Sequence, residues 1–134
     1  VEPSKIVARY VDGRIVKGYT QNFFPNKPAF HIQSYEGASA KEVAEIRVEE
    51  LKAVFFVKDF RGDHNHKATG LPPEGKRPQG RLMEVTWKDG EIIVGTTTGY
   101  DPHRTGFFLF PVDPQSNNDK VFIVSASVGK VRNL

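Results

Sequence analysis

The sequence predicts an all-β chain of two small tandem β-barrel units, related by internal duplication and packed together. Three observations lead there. The stretch from Tyr10, Tyr-Val-Asp-Gly-Arg-Ile-Val-Lys-Gly-Tyr-Thr, returns from Trp87 as Trp-Lys-Asp-Gly-Glu-Ile-Ile-Val-Gly-Thr-Thr, an offset of 77 positions. Identity falls on Asp12/Asp89, Gly13/Gly90, Ile15/Ile92, Gly18/Gly95, Thr20/Thr97, Pro25/Pro102 and Phe30/Phe107, and such a spacing marks one supersecondary unit used twice. Each Asp-Gly pair joins two strand-like runs, the strongest short-range hairpin signal. Ten Phe, four Tyr and one Trp among 134 residues supply a core and argue against disorder.

The first unit opens with a strand ending at Tyr10, and Asp12-Gly13 turns the chain into a second. A two-residue type I′ turn would set Tyr10 opposite Ile15, Ala8 opposite Lys17 and Ile6 opposite Tyr19. At Asp89-Gly90 it would set Trp87 opposite Ile92, Val85 opposite Val94 and Met83 opposite Thr96. Gly18 and Gly95 come late in the second strands, where glycine marks a bulge or bend of the kind a curling sheet needs. Loops containing Pro25 and Pro102 lead to third strands at residues 30–35 and 107–110, and fourth strands follow at 44–48 and 121–125. Short turns at 49–52 and 126–129 precede last strands at 53–57 and 130–133. A single amphipathic helix over residues 40–54 is the alternative, since Val43, Ile46, Glu50 and Val54 sit near helical spacing. The β-branched and aromatic residues that follow, and the parallel in the second unit, favour strands. Carrying the repeat past the third strand takes a one-residue slip near Ile46 and Phe122.

Units at residues 1–58 and 80–134 leave 59–79 as a connector, whose prolines, glycines and scarcity of apolar residues read as loop. Residues 58–81 hold six basic and three acidic side chains, so the whole formal excess of +3 sits there. That field can attract an anionic partner but is weak for a dedicated nucleic-acid surface. The absence of cysteine excludes disulfides and thiol chemistry. No apolar run is long enough to span a membrane and no signal-peptide pattern opens the chain, so the expected compartment is cytoplasmic. A start at Val1 suits an excerpt or a processed product.

Five short strands per unit, the Asp-Gly hairpin, the glycine-bent second strand and the tight turn before the fifth resemble SH3-like and Sm-like barrels. Residues 80–134 also resemble an uncharacterised family of small bacterial domains found with signalling modules. The residues carrying that likeness are Asp89-Gly90-Glu91, Gly95, the run from Gly106 to Pro111, Asp113 and Ser116-Asn117-Asn118, and Lys52-Ala53-Val54-Phe55-Phe56-Val57 fits as well. The resemblance implies a fold and a regulatory setting, and no particular activity. Arg77-Pro-Gln-Gly-Arg81 is similar to the Arg-x-x-x-Arg motif with which PilZ domains bind cyclic di-GMP. Two guanidiniums so spaced, just before a strand at Leu82, could clamp phosphates. The second PilZ motif departs here, because Asp113-Pro-Gln-Ser116-Asn117-Asn118 has another spacing and lacks the glycine.

Ligand-binding candidates are therefore Lys76, Arg77 and Arg81 at the connector, with Asp113, Ser116, Asn117 and Asn118 near the barrel. Each has a plainer reading, as solvated linker or as turn residues whose side chains bond nearby backbone. Asp63-His64-Asn65-His66 offers two or three metal ligands in a loop, short of a site, so neither metal nor cofactor is expected. Arg61-Gly62-Asp63 spells a common adhesion tripeptide. Along the run from Phe107 to Phe110, Phe108 and Phe110 need cover beyond their own barrel. Phe55 or Phe56 of the other unit is the simplest cover, against an exposed platform for a peptide or base. Nucleophile, phosphate-loop and zinc motifs are absent, and no catalytic residue is expected. The resulting expectation is a non-catalytic binding module presenting a β-surface to a protein partner or an adjacent domain of a longer chain, in bacterial signalling or regulation. The alternative is an anionic-ligand module that takes a cyclic dinucleotide or RNA through the basic connector.

Overall fold

The structure, a computed structural model, describes residues 4–34, 43–58, 80–97, 99–101, 103–112 and 117–134. It is all-β, with strands β1 Ser4–Tyr10, β2 Ile15–Thr20, β3 Ala29–Ser34, β4 Val43–Arg47 and β5 Leu51–Val57. There follow β6 Arg81–Trp87, β7 Ile92–Thr97, β8 Gly106–Pro111, β9 Asn118–Val124 and β10 Val128–Asn133. Single 3-10 turns, Val48–Glu50 and Ser125–Ser127, lead into β5 and β10. Residues 43–57 are thus strand, turn and strand, and the helical alternative is not realised there.

Both Asp-Gly dipeptides do make hairpins, with a different turn from the expected one. Gly13 and Gly90 have φ of +97° and +95°, while no described residue other than glycine has positive φ. A type I′ turn needs two such residues, so each hairpin instead uses a three-residue loop with one left-handed glycine. The Gly13 N–H donates to the Tyr10 carbonyl at 3.1 Å and the Tyr10 N–H to the Arg14 carbonyl at 2.9 Å. The same two bonds at Trp87 measure 2.9 and 2.8 Å. Asp12 and Asp89 stay in ordinary backbone space because their carboxylates accept the N–H two residues on, at 3.0 and 2.9 Å. The extra loop residue corrects the expected register by one. Ala8 faces Val16 and Ile6 faces Gly18, and Val85 faces Ile93 and Met83 faces Gly95.

The offset of 77 persists through the pairings of the third and fourth strands. Phe30 faces Ile46 as Phe107 faces Ile123, and Ala29 faces Arg47 as Gly106 faces Val124. The slip expected near Ile46 and Phe122 does not occur. The run Val121-Phe122-Ile123-Val124 is apolar on both faces and can be matched to Ile46 in two phases; backbone pairing selects the unslipped one.

All ten strands form one open antiparallel sheet, ordered β10-β6-β7-β8-β9-β5-β1-β2-β3-β4. The halves of the chain meet at a seam where β5 pairs β9, setting Ala53 opposite Ile123, Val54 opposite Phe122 and Phe55 opposite Val121. Alternation then divides these strands between two cores. Leu51, Val54, Phe56, Phe122 and Val124 join Ile6, Ala8, Phe30, Ile32 and Ile46 in the first. Ala53, Phe55, Val57, Val121 and Ile123 join Met83, Val85, Trp87, Phe107 and Leu109 in the second. Burial on both faces is why β5 reads as a nearly unbroken apolar run. At Gly18 and Gly95 the neighbouring strands β3 and β8 leave no room for a side chain. A Cβ at Gly95 would lie 2.5 Å from the Phe110 carbonyl oxygen and 2.8 Å from Leu109 Cγ, and one at Gly18 would collide with Gln33 and Ile32.

Candidate functional site

The exception to the apolar run of β5 is Lys52, and it locates the most developed polar site among the described residues. Its side chain is only 11% exposed. Its ammonium sits 4.7 Å above the Trp87 ring and donates to Asp89 Oδ2 at 2.7 Å and to Glu91 Oε1. Both carboxylates belong to the β6–β7 hairpin, so a lysine of the first half is held by the turn of the second. The Ser127 hydroxyl, placed by the turn before β10, reaches the main-chain carbonyls of Lys52 at 2.8 Å and Val124 at 2.6 Å. Hydrogen bonding from Lys52, then from the Glu91 N–H, holds the Asp89 carboxyl below its usual range.

Two arginines stand beside this clamp. Arg9, on β1, reaches Glu91 at 3.3 and 3.4 Å and lies 5.7 Å over the Phe55 ring. Arg14 pairs with Asp12 at 2.8 Å and stacks 4.2 Å over Tyr10. The Arg14 N–H, followed by its side chain, keeps the Asp12 carboxyl below its usual range. Burial pushes the Tyr10 phenol upward. Between the two hairpin tips these residues enclose an open cleft of about 380 Å³. Its rim includes two apolar side chains that face solvent, Val11 at 67% and Ile15 at 50% exposure.

The cleft combines a stacked, pre-positioned guanidinium at Arg14, a second at Arg9, and an apolar rim. A guanidinium has five N–H donors, and one pairing leaves donors for a partner's carboxylate or carbonyl. The rim adds exposed apolar area beside these donors.

Of the residues singled out from the sequence, Lys76, Arg77, Asp113 and Ser116 lie outside the described residues, as do Arg61 through His66. Arg81 opens β6, exposed, opposite Thr97. The Asn117 carbonyl accepts the Lys58 N–H at 2.8 Å, and Asn118 opens β9 opposite Val57. Strands β7 and β8 stand between Arg81 and this pair in the sheet. His31 bonds through Nδ1 to the Asn22 amide at 2.9 Å and lies 3.9 Å from Glu45; no group of three potential metal ligands occurs among the described residues. Phe108 packs on Phe56 of the other half, as expected, at a ring-centroid distance of 6.0 Å, and on Phe122 of its own half at 5.2 Å, whereas Phe110 stays 46% exposed. Lys52, Arg9 and Glu91 were not anticipated. The available signal was a single lysine inside an apolar run, and the change from Arg14 to Glu91 between otherwise matching turns.

No helix among the described residues is long and apolar enough to cross a membrane. No curated protein and no solved structure matches the chain. A family model covers nearly its whole length, residues 2–134. The chain therefore belongs to that family, the family of unknown function DUF6982.

Proposed function

We propose that the protein is a non-catalytic binding module of two SH3/Sm-like units, derived by duplication, that holds a protein partner in the cleft between its Asp-Gly hairpins. The observation that carries this reading is the cleft itself, with Arg9 and Arg14 stacked on aromatic rings beside exposed Val11 and Ile15. Duplication is supported by the constant offset of strand pairings. The Lys52 clamp ties the second hairpin to β5 and the Arg9–Glu91 pair ties it to β1, so the cleft is pre-organised and its occupant loses less on binding. The occupant is an extended segment with an apolar side chain for the rim and a carboxylate for Arg14. A signalling or regulatory setting rests on the family resemblance of residues 80–134 alone.

The test is selection from a random peptide library on the full chain and on an Arg14→Ala/Ile15→Asp variant. Both positions are exposed, so the variant keeps its fold. Peptides pairing an apolar with an acidic residue should be enriched on the native chain and lost on the variant. Equal enrichment on both, or none on the native chain, rejects the cleft. A parallel titration with cyclic di-GMP and a short RNA at low salt addresses the anionic-ligand alternative. Salt-sensitive binding abolished by Arg77→Ala/Arg81→Ala, and indifferent to the cleft variant, would favour that alternative.

A further inference from the structure

The seam joins unlike edges. It pairs β5, which follows the 3-10 turn of the first half, with β9, which precedes the 3-10 turn of the second. The strands at the corresponding positions, β10 and β4, end the sheet and have no second strand partner among the described residues. A contact between unlike edges can repeat from molecule to molecule, giving a ring or filament. Placing β10 of one copy on β4 of another in the seam's register sets Lys130 opposite Ile46, Val131 opposite Glu45 and Arg132 opposite Ala44.

The residues at those places decide whether the contact forms. Lys130 stands where Ala53 is fully buried, and Arg132 where Phe55 packs. Glu45 stands where Phe122 is fully buried. All three charges are solvent-facing as they are: Arg132 pairs with Glu84 at 3.0 Å, Glu45 lies near His31, and Lys130 is exposed. Stacking a second copy would push Lys130 and Glu45 into apolar cores on opposite sides of the joint, where neither can pair with the other, and would carry the Arg132–Glu84 pair out of water. Burying an unpaired charge is among the most costly changes a protein interior can suffer. Inward-facing charges on edge strands are a recognised barrier to edge-to-edge association.

We propose that β10 and β4 are complementary halves of a second seam, fit to join two copies of this chain head to tail, and that Glu45, Lys130 and Arg132 keep that joint from forming. The proposal rests on strand positions and registers and is independent of the hairpin cleft. Its test uses two full-length variants that restore seam residues on one edge each: Glu45→Phe on β4, and Lys130→Ala/Arg132→Phe on β10. Sedimentation velocity should show the native chain and each variant as monomers. An equimolar mixture should shift to a one-to-one dimer that grows no further, because its outer edges keep their charges. A variant combining all three changes should assemble beyond the dimer. Circular dichroism checks that each variant keeps its sheet; if the Phe-bearing versions lose it, Glu45→Val and Arg132→Leu replace them. Folded variants that stay monomeric when mixed overturn the proposal. So do single-edge variants that pair with themselves, and a native chain already assembled through these edges.

Discussion

Strands β5 and β10 both follow a 3-10 turn, yet one is Leu-Lys-Ala-Val-Phe-Phe-Val and the other Val-Gly-Lys-Val-Arg-Asn. Each pairs with the first strand of its half, β1 or β6. The difference is what lies on the other side. Every residue of β5 is buried, while no residue of β10 is. One sheet position thus carries a doubly apolar strand where it is internal and a charged one where it is an edge. The strand's neighbours, more than its backbone conformation, determine its composition.

The largest effect should come from Phe122, which β4 replaces with Glu45. Phe122→Ala opens a cavity at the seam and should cost about 4 kcal/mol, whereas Glu45→Ala, exposed on β4, should cost under about 0.5 kcal/mol. Chemical denaturation of both variants measures the contrast, and comparable losses would contradict it. A smaller effect is expected at Lys52, whose counterpart 77 residues on is Gly129. Lys52→Ala removes a buried stem as well as the clamp and should lower stability by about 2 kcal/mol. Lys52→Met keeps most of the stem, so it should recover much of that loss if packing rather than charge dominates.

The smallest effect is one of pH, and its sign follows from the lowered Asp89 carboxyl. Its folded pKa lies below the ordinary 3.8, so the folded state favours the ionised form. The resulting stabilisation is complete above the unfolded pKa and is lost as pH falls through the folded one. The melting temperature should therefore decline below about pH 4, and Asp89→Asn should make that decline shallower. Asp12 is shifted the same way by Arg14, so Asp12→Asn should act alike without involving the seam. An unchanged acid limb in both variants would refute this account of the hairpin carboxylates.

Much of the strand pattern was legible because its signals are local. Asp12-Gly13 and Asp89-Gly90 announced hairpins, and Gly18 and Gly95 stand where β3 and β8 come too close for a side chain. The hairpin registers were read one residue off because turn type depends on the φ of Asp12 and Asp89, which residue identity does not settle. The seam was legible only in outline. The doubly apolar runs of β5 and β9 signal burial on both faces, but nothing local says that they bury against each other. The cleft was the least legible part, since Lys52 meets carboxylates 37 and 39 residues away. Such a contact exists only once the seam has formed.

That seam is the claim on which the rest depends, and native-state hydrogen exchange tests it most directly. If β5 and β9 form the centre of one continuous sheet, their amides should be the slowest to exchange in the molecule and should open only with global unfolding. The amides of β4 and β10 should exchange far faster. Two separately protected halves, with β5 and β9 exchanging as quickly as β4 and β10, would contradict the single sheet, and with it both the cleft and the blocked joint.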